Sequence, residues 1–78
     1  MKIFYTLHAL ERLRQRGITR EQVEQCLREP DKIEELEGLY RCIKRLNDKV
    51  LVTIYKEFQD RIMIITAFKT SKIKKYLP

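Results

Sequence analysis

The hydrophobic pattern of this chain changes period once, and the change divides it into two halves. Across "LHALERLRQRGI", Leu7 to Ile18, Leu7, Leu10 and Leu13 recur every third position on one arc of a helix. Thr6 is placed to cap that helix, because its side-chain oxygen can accept from amides two or three residues on. The spacing predicts a helix over about 7–16. Gly17 suits the left-handed residue that ends it, and Ile18 supplies the apolar contact that follows such an end. A second helix opens at "TREQ", where Thr19 and Gln22 have the spacing of a capping box. Val23, Cys26 and Leu27 form its apolar face, and Pro30 stops it after about Arg28 or Glu29. Two helices joined by Gly17-Ile18-Thr19 make an αα-hairpin or corner.

Beyond Pro30 the chain is rich in Ile, Val, Leu, Tyr and Thr, broken by turn residues. Strands are predicted at roughly Tyr40–Leu46, Val50–Tyr55 and Ile62–Phe68, with a fourth around Lys32–Leu36. Gly38, Asn47-Asp48 and "EFQD" provide the turns. The later strands carry apolar residues on both faces, as central strands covered by a helix layer do. "KIFY" at the start reads as a short strand or an extended lead-in, and the tail "KTSKIKKYLP" as a helical turn or a loose end. The predicted class is α+β: two N-terminal helices packed on a three- to four-stranded antiparallel sheet, with parallel wiring disfavoured because helices precede strands.

Length and charge then narrow the class. With 78 residues, one domain spanning 1–78 is expected. A core this small is marginal, so a protein partner or self-association is expected to contribute. Lys and Arg total 17 against 11 Asp and Glu, a net charge of +6, which favours a polyanion and first of all nucleic acid. The charge is uneven. "DKIEELE" (31–37) holds four acids and one lysine, whereas "KTSKIKK" (69–75) holds four lysines and no acid. Two cysteines without a CxxC, and a single histidine, give no zinc-ligand pattern. No metal or cofactor is expected. One disulfide, or two buried small apolar residues, would account for Cys26 and Cys42. No leader pattern and no membrane-length apolar run is present, so the expected location is the cytoplasm.

The chemistry-bearing stretch is "HALERLRQRGI". At 100° per residue, His8, Arg12 and Arg16 fall at about 100°, 140° and 180° from Leu7, a narrow stripe. Residues four apart are neighbours on a helix, so an imidazole and two guanidiniums form a row. The same spacing describes the solvated side of an ordinary amphipathic helix. Against that reading, like charges at i, i+4 bring no local benefit, and the net charge already favours phosphate. Such a row would serve RNA cleavage without metal: the 2′-hydroxyl attacks the adjacent phosphorus and the 5′-oxygen leaves. A neutral histidine can take a proton near pH 7, and arginine grips phosphate with a planar fork. Tyr40 and Tyr55 are candidates for base stacking or for ordinary packing.

His8-Ala9-x-x-Arg12-x-x-x-Arg16-Gly17-Ile18, the Leu27…Pro30 helix stop, Tyr40-Arg41 and "DRIMIITAF" together resemble a widespread family of small domains of unknown function. That family is similar to the BrnT and RelE/ParE toxins. The resemblance covers nearly the whole chain. It implies a RelE- or barnase-like ribonuclease plan, with chemistry from the first helix and the last strands. On that basis His8, Arg12 and Arg16 match the helix motif, and Thr66 and Lys69 join them as candidate catalytic groups. Arg41, Lys44, Arg45, Lys72, Lys74 and Lys75 are candidates for phosphate tracking. The implied function is a metal-independent endoribonuclease toxin acting on RNA and partnered by an antitoxin. The alternatives are a non-catalytic nucleic-acid-binding module and a structural or regulatory protein-interaction domain.

Overall fold

The computed structural model, which describes Lys2–Pro78, begins with a strand rather than a helix. The elements in chain order are β1 (Lys2–Tyr5), α1 (Leu7–Gln15), α2 (Arg20–Arg28), β2 (Lys32–Leu36), β3 (Leu39–Leu46), β4 (Lys49–Glu57), β5 (Arg61–Thr70) and α3 (Ile73–Tyr76). The five strands form one sheet in the order β1-β5-β4-β3-β2. From β2 to β5 it is an antiparallel meander, but β1 lies parallel to β5, with Lys2 opposite Arg61 and Tyr5 opposite Ile64.

The fold expected from sequence is therefore corrected. The sheet has five strands and is mixed, and its first strand precedes both helices. A four-residue "KIFY" is too short to announce its partner. It becomes a strand because Ile3 and Tyr5 pack on the core while Phe4 faces the other way, half exposed. Both helices and three strands intervene before β1 meets β5, so the pairing is invisible to local pattern.

The helix ends do follow local chemistry. The Thr6 hydroxyl accepts from the Ala9 amide at 2.9 Å. At the other end Gly17 takes φ +64°, the Ile18 amide donates to the Leu13 carbonyl, and the Gly17 amide to that of Arg14. These are the paired bonds of a Schellman stop. At α2, Thr19 and Gln22 exchange both capping-box bonds, at 3.0 and 3.1 Å. The β2–β3 hairpin turns on Glu37 and Gly38, both at positive φ, as the twist of a two-residue hairpin requires.

One core lies between the sheet and α1 plus α2. Ala9, Leu13, Ile18, Val23 and Cys26 meet Cys42, Leu51, Tyr55, Ile64 and Ala67 there. A smaller cluster on the opposite face, Ile43, Val50 and Val52, is covered by Phe68 and by Ile73, Tyr76 and Leu77 of the C-terminal segment. Burying each of these large apolar side chains contributes about 1.5–3 kcal/mol. No described helix is long and apolar enough to cross a membrane.

Candidate functional site

Two departures from regularity create the site. The first is a rotation of α1. The buried line is Ala9 and Leu13, with Leu10 half-buried, whereas Leu7 is 85% exposed. The core arc predicted through Leu7 is thus turned toward Ala9, whose small side chain lets α1 lie close to β5. The turn carries the charged row from the far side of the helix to the border of the core, and Arg12 becomes half-buried.

The second departure is in β5. β1 pairs only with Arg61–Ile64, so residues 65–70 have no strand neighbour on that side. The register against β4 slips there as well. Tyr55 opposes Ile64 and Ile54 opposes Thr66, leaving Ile65 as an extra residue. Ile64 and Ala67 can both enter the helix-side core despite being three apart. The simple alternation of Ile64, Thr66 and Phe68 seen in sequence is broken at this bulge.

The row of α1 runs beside that open edge. At its start, the Thr6 amide donates to the Ile64 carbonyl. His8 follows, exposed, with its Nε2 accepting from Arg12 Nε at 3.2 Å. At the far end Arg16 Nη1 donates to the Ala67 carbonyl at 2.9 Å and to Thr66 Oγ1 at 3.3 Å. Lys69 Nζ reaches the Gly17 carbonyl at 3.4 Å. The five residues predicted as catalytic, His8, Arg12, Arg16, Thr66 and Lys69, therefore gather along one edge. Among the described residues the ion pairs lie elsewhere: Lys32 and Arg41 with Glu34, and Arg61 with Asp60. The cations of the row have no carboxylate partner among the described residues.

The predicted phosphate-tracking residues do not join them. Arg41 is committed to Glu34, its Nε donating to Oε1 at 2.8 Å, and its guanidinium also lies over the Tyr76 ring at 5.2 Å. That contact holds the Glu34 carboxyl below its usual range. Lys44 donates to the Glu29 carbonyl at 2.9 Å, and Arg45 Nε to that of Asn47. Successive strand residues point to opposite faces, so Lys44 is separated from Arg41 and Arg45. Lys72, Lys74 and Lys75 belong to the C-terminal segment, where Lys74 and Arg45 border the same shallow depression. Tyr40 and Tyr55 stack on each other, 5.4 Å apart and 14° from parallel. Tyr55 is buried, which pushes its hydroxyl up to about 12, so it offers no face to a base.

One polar cluster escaped the sequence reading. The Tyr5 hydroxyl donates to Glu24 Oε2 at 2.8 Å, with the Arg20 guanidinium 5.3 Å over its ring. Burial first, and the Glu24 bond second, push the Tyr5 hydroxyl far up. The i, i+4 spacing of Arg20 and Glu24 was visible on α2, but their meeting with Tyr5 depends on where β1 docks.

Geometry also separates the row from the apolar groove. That groove, about 360 Å³, lies on the β2 side and is lined by Leu36, Leu39, Tyr40 and Ile54 with Glu34, Glu35 and Arg41. A row along an open surface suits an extended polyanion, whereas small ligands are held in concave pockets.

The model of a family described as a domain of unknown function, DUF4258, matches residues 5–69, from the end of β1 to Lys69. No curated protein and no solved structure matches the chain.

Proposed function

The chain belongs to the DUF4258 family, and from the geometry of its α1 row we propose that it binds RNA through the phosphodiester backbone along α1 and the open edge of β5. The observation that carries this reading is the alignment of His8, Arg12 and Arg16 beside residues 65–70, with Lys69 at the same end. Arg12 and Arg16 are four residues apart on α1, about 6 Å along the axis. Successive phosphates of an extended strand can meet successive guanidiniums. The test is fluorescence anisotropy with labelled single-stranded RNA across a salt series. Binding should weaken linearly in log salt and drop in Arg12→Ala. Binding that is unchanged in Arg12→Ala and Arg16→Ala together removes this reading.

A second reading, metal-independent cleavage, is favoured by the His8–Arg12 contact. Nε2 is the imidazole atom that accepts from Arg12 Nε, so its lone pair points at the row. A phosphate that draws Arg12 onto itself frees this lone pair beside the 2′-hydroxyl. His8 then removes the hydroxyl proton, the 2′-oxygen attacks phosphorus, and Arg12 and Arg16 stabilise the charge that builds on the phosphoryl oxygens. The P–O5′ bond then breaks, the departing 5′-oxygen takes a proton from water and His8 returns its proton to solvent, giving a 2′,3′-cyclic phosphate and a 5′-hydroxyl. Kinship with the BrnT and RelE/ParE toxins, and an antitoxin partner, belong to this reading. It predicts cyclic-phosphate ends from RNA incubated in EDTA, with ribosomes and without. It also predicts growth arrest by wild type but not by His8→Ala. No cleavage under either condition leaves the binding reading alone.

A further inference from the structure

The two cysteines lie outside the α1 site and meet in the core. Cys26 stands with Val23 on the buried face of α2, and Cys42 is on the helix-facing side of β3, opposite Thr53 of β4. Both are free thiols with no solvent exposure. Their sulfurs are 3.2 Å apart. Cys42 Sγ also donates to the Cys26 carbonyl at 3.0 Å, and Cys26 Sγ lies 3.6 Å from the Cys42 carbonyl. The Thr53 hydroxyl beside them is buried without a hydrogen-bond partner. The sequence holds no third cysteine, so within this chain each thiol can pair only with the other.

We propose that Cys26 and Cys42 form a modification site at which a peroxide-class oxidant joins them in an intramolecular disulfide, pinning α2 to β3. The sulfur–sulfur contact holds the Cys26 thiol below its ordinary value, and it holds that of Cys42 above, where burial adds to the rise. The Cys42 thiol is held on the Cys26 carbonyl at 3.0 Å, whereas the Cys26 sulfur has only the 3.6 Å carbonyl contact, so Cys26 is the first nucleophile. Its thiolate attacks one peroxide oxygen, the O–O bond breaks, and the departing hydroxide takes up the thiol proton as water, leaving a sulfenic acid. The Cys42 sulfur then attacks the Cys26 sulfur. The S–S bond forms, the S–OH bond breaks, and the hydroxide leaves with the Cys42 proton as a second water. Two thiols lose two electrons and the peroxide gains them.

The cross-link closes residues 27–41 into a loop that contains Pro30, the whole of β2 and the Glu37-Gly38 turn. Oxidation thus ties the acidic edge strand to the core through both its ends. Because the sulfurs are buried, the oxidant reaches them through local opening of α2, and the reaction in folded protein is slower than in the unfolded chain.

The reduced protein is treated with hydrogen peroxide, quenched, then alkylated in denaturant and analysed by intact mass and peptide mapping. The expected result is a monomer about 2 Da lighter that has lost both thiols together, reversed by dithiothreitol. Its melting temperature should rise by roughly 10–20 °C, as closure of a loop this long implies for a small domain. The inference is overturned if both thiols remain alkylatable, if Cys26 proceeds to a sulfinic acid while Cys42 stays free, or if the bond forms between chains. In Cys42→Ala the same treatment should stop at oxidised Cys26. Should that variant fail to fold, the wild-type mass and melting readouts decide alone.

Discussion

The two edges of this sheet handle their charged side chains differently. On the β2 side, acids and bases neutralise each other within the strand pair. Glu34 sits opposite Arg41 in register and between Lys32 and Arg41 in space. On the β5 side, Arg16 and Lys69 answer backbone carbonyls, Arg12 donates to the His8 imidazole, and no carboxylate offsets them among the described residues. The comparison teaches that a net charge of +6 is not spread evenly over the surface. A guanidinium bonded to a carbonyl keeps its full charge for an outside anion, whereas one bonded to a carboxylate does not.

The strongest way to sharpen this contrast is His8→Ala. If the β5 side is catalytic, RNA cleavage measured from cyclic-phosphate ends should fall by about 10²–10⁴-fold while RNA affinity changes little. Next come the arginines of the two sides, compared in one binding assay. Arg12→Ala should weaken RNA binding by roughly 10-fold, the size of one charge-assisted contact, while Arg41→Ala leaves it unchanged. Equal losses in the two variants would break the comparison. A smaller effect is expected from Lys69→Ala. The slope of log affinity against log salt should flatten by about 0.7, one phosphate contact on a single strand.

The least effect belongs to the β2 side and is read in stability. The Arg41 hydrogen bond lowers the Glu34 carboxyl in the folded state. A depressed folded value means the stabilisation is present above the unfolded carboxylate value, near 4.3, and is lost as pH falls through the folded one. The melting-temperature difference between wild type and Arg41→Ala should therefore be present at pH 7 and shrink below about pH 4. A difference independent of pH would show that the pair contributes through packing alone.

Particular residues show how far the sequence could be read. Thr6, Gly17, Thr19 with Gln22, and Pro30 marked both helices closely, because a cap is satisfied by groups within three or four residues. The strand spans from Lys32 onward were legible for the same reason, through turn residues and β-branched runs. His8, Arg12 and Arg16 could be grouped by helical spacing alone. What they face could not be read, since Leu7 looked like a core residue and is the most exposed of the large apolar side chains. Nor could Arg41, Lys44 and Arg45 be sorted from the row, because their partners, Glu34, the Glu29 carbonyl and the Asn47 carbonyl, depend on strand pairing and turn geometry.

By itself the sequence determined the local elements, the separation of acidic and basic stretches, and the order of charges along α1. These rest on contacts between near neighbours and on composition, which no later packing can change. Only the tertiary structure decided the rest: the parallel docking of β1, the extra residue at Ile65, the rotation of α1 onto Ala9, and the meeting of Cys26 with Cys42. Each depends on which distant surface is free to be covered, and burial of apolar area is non-directional until shapes and hydrogen bonds choose among partners.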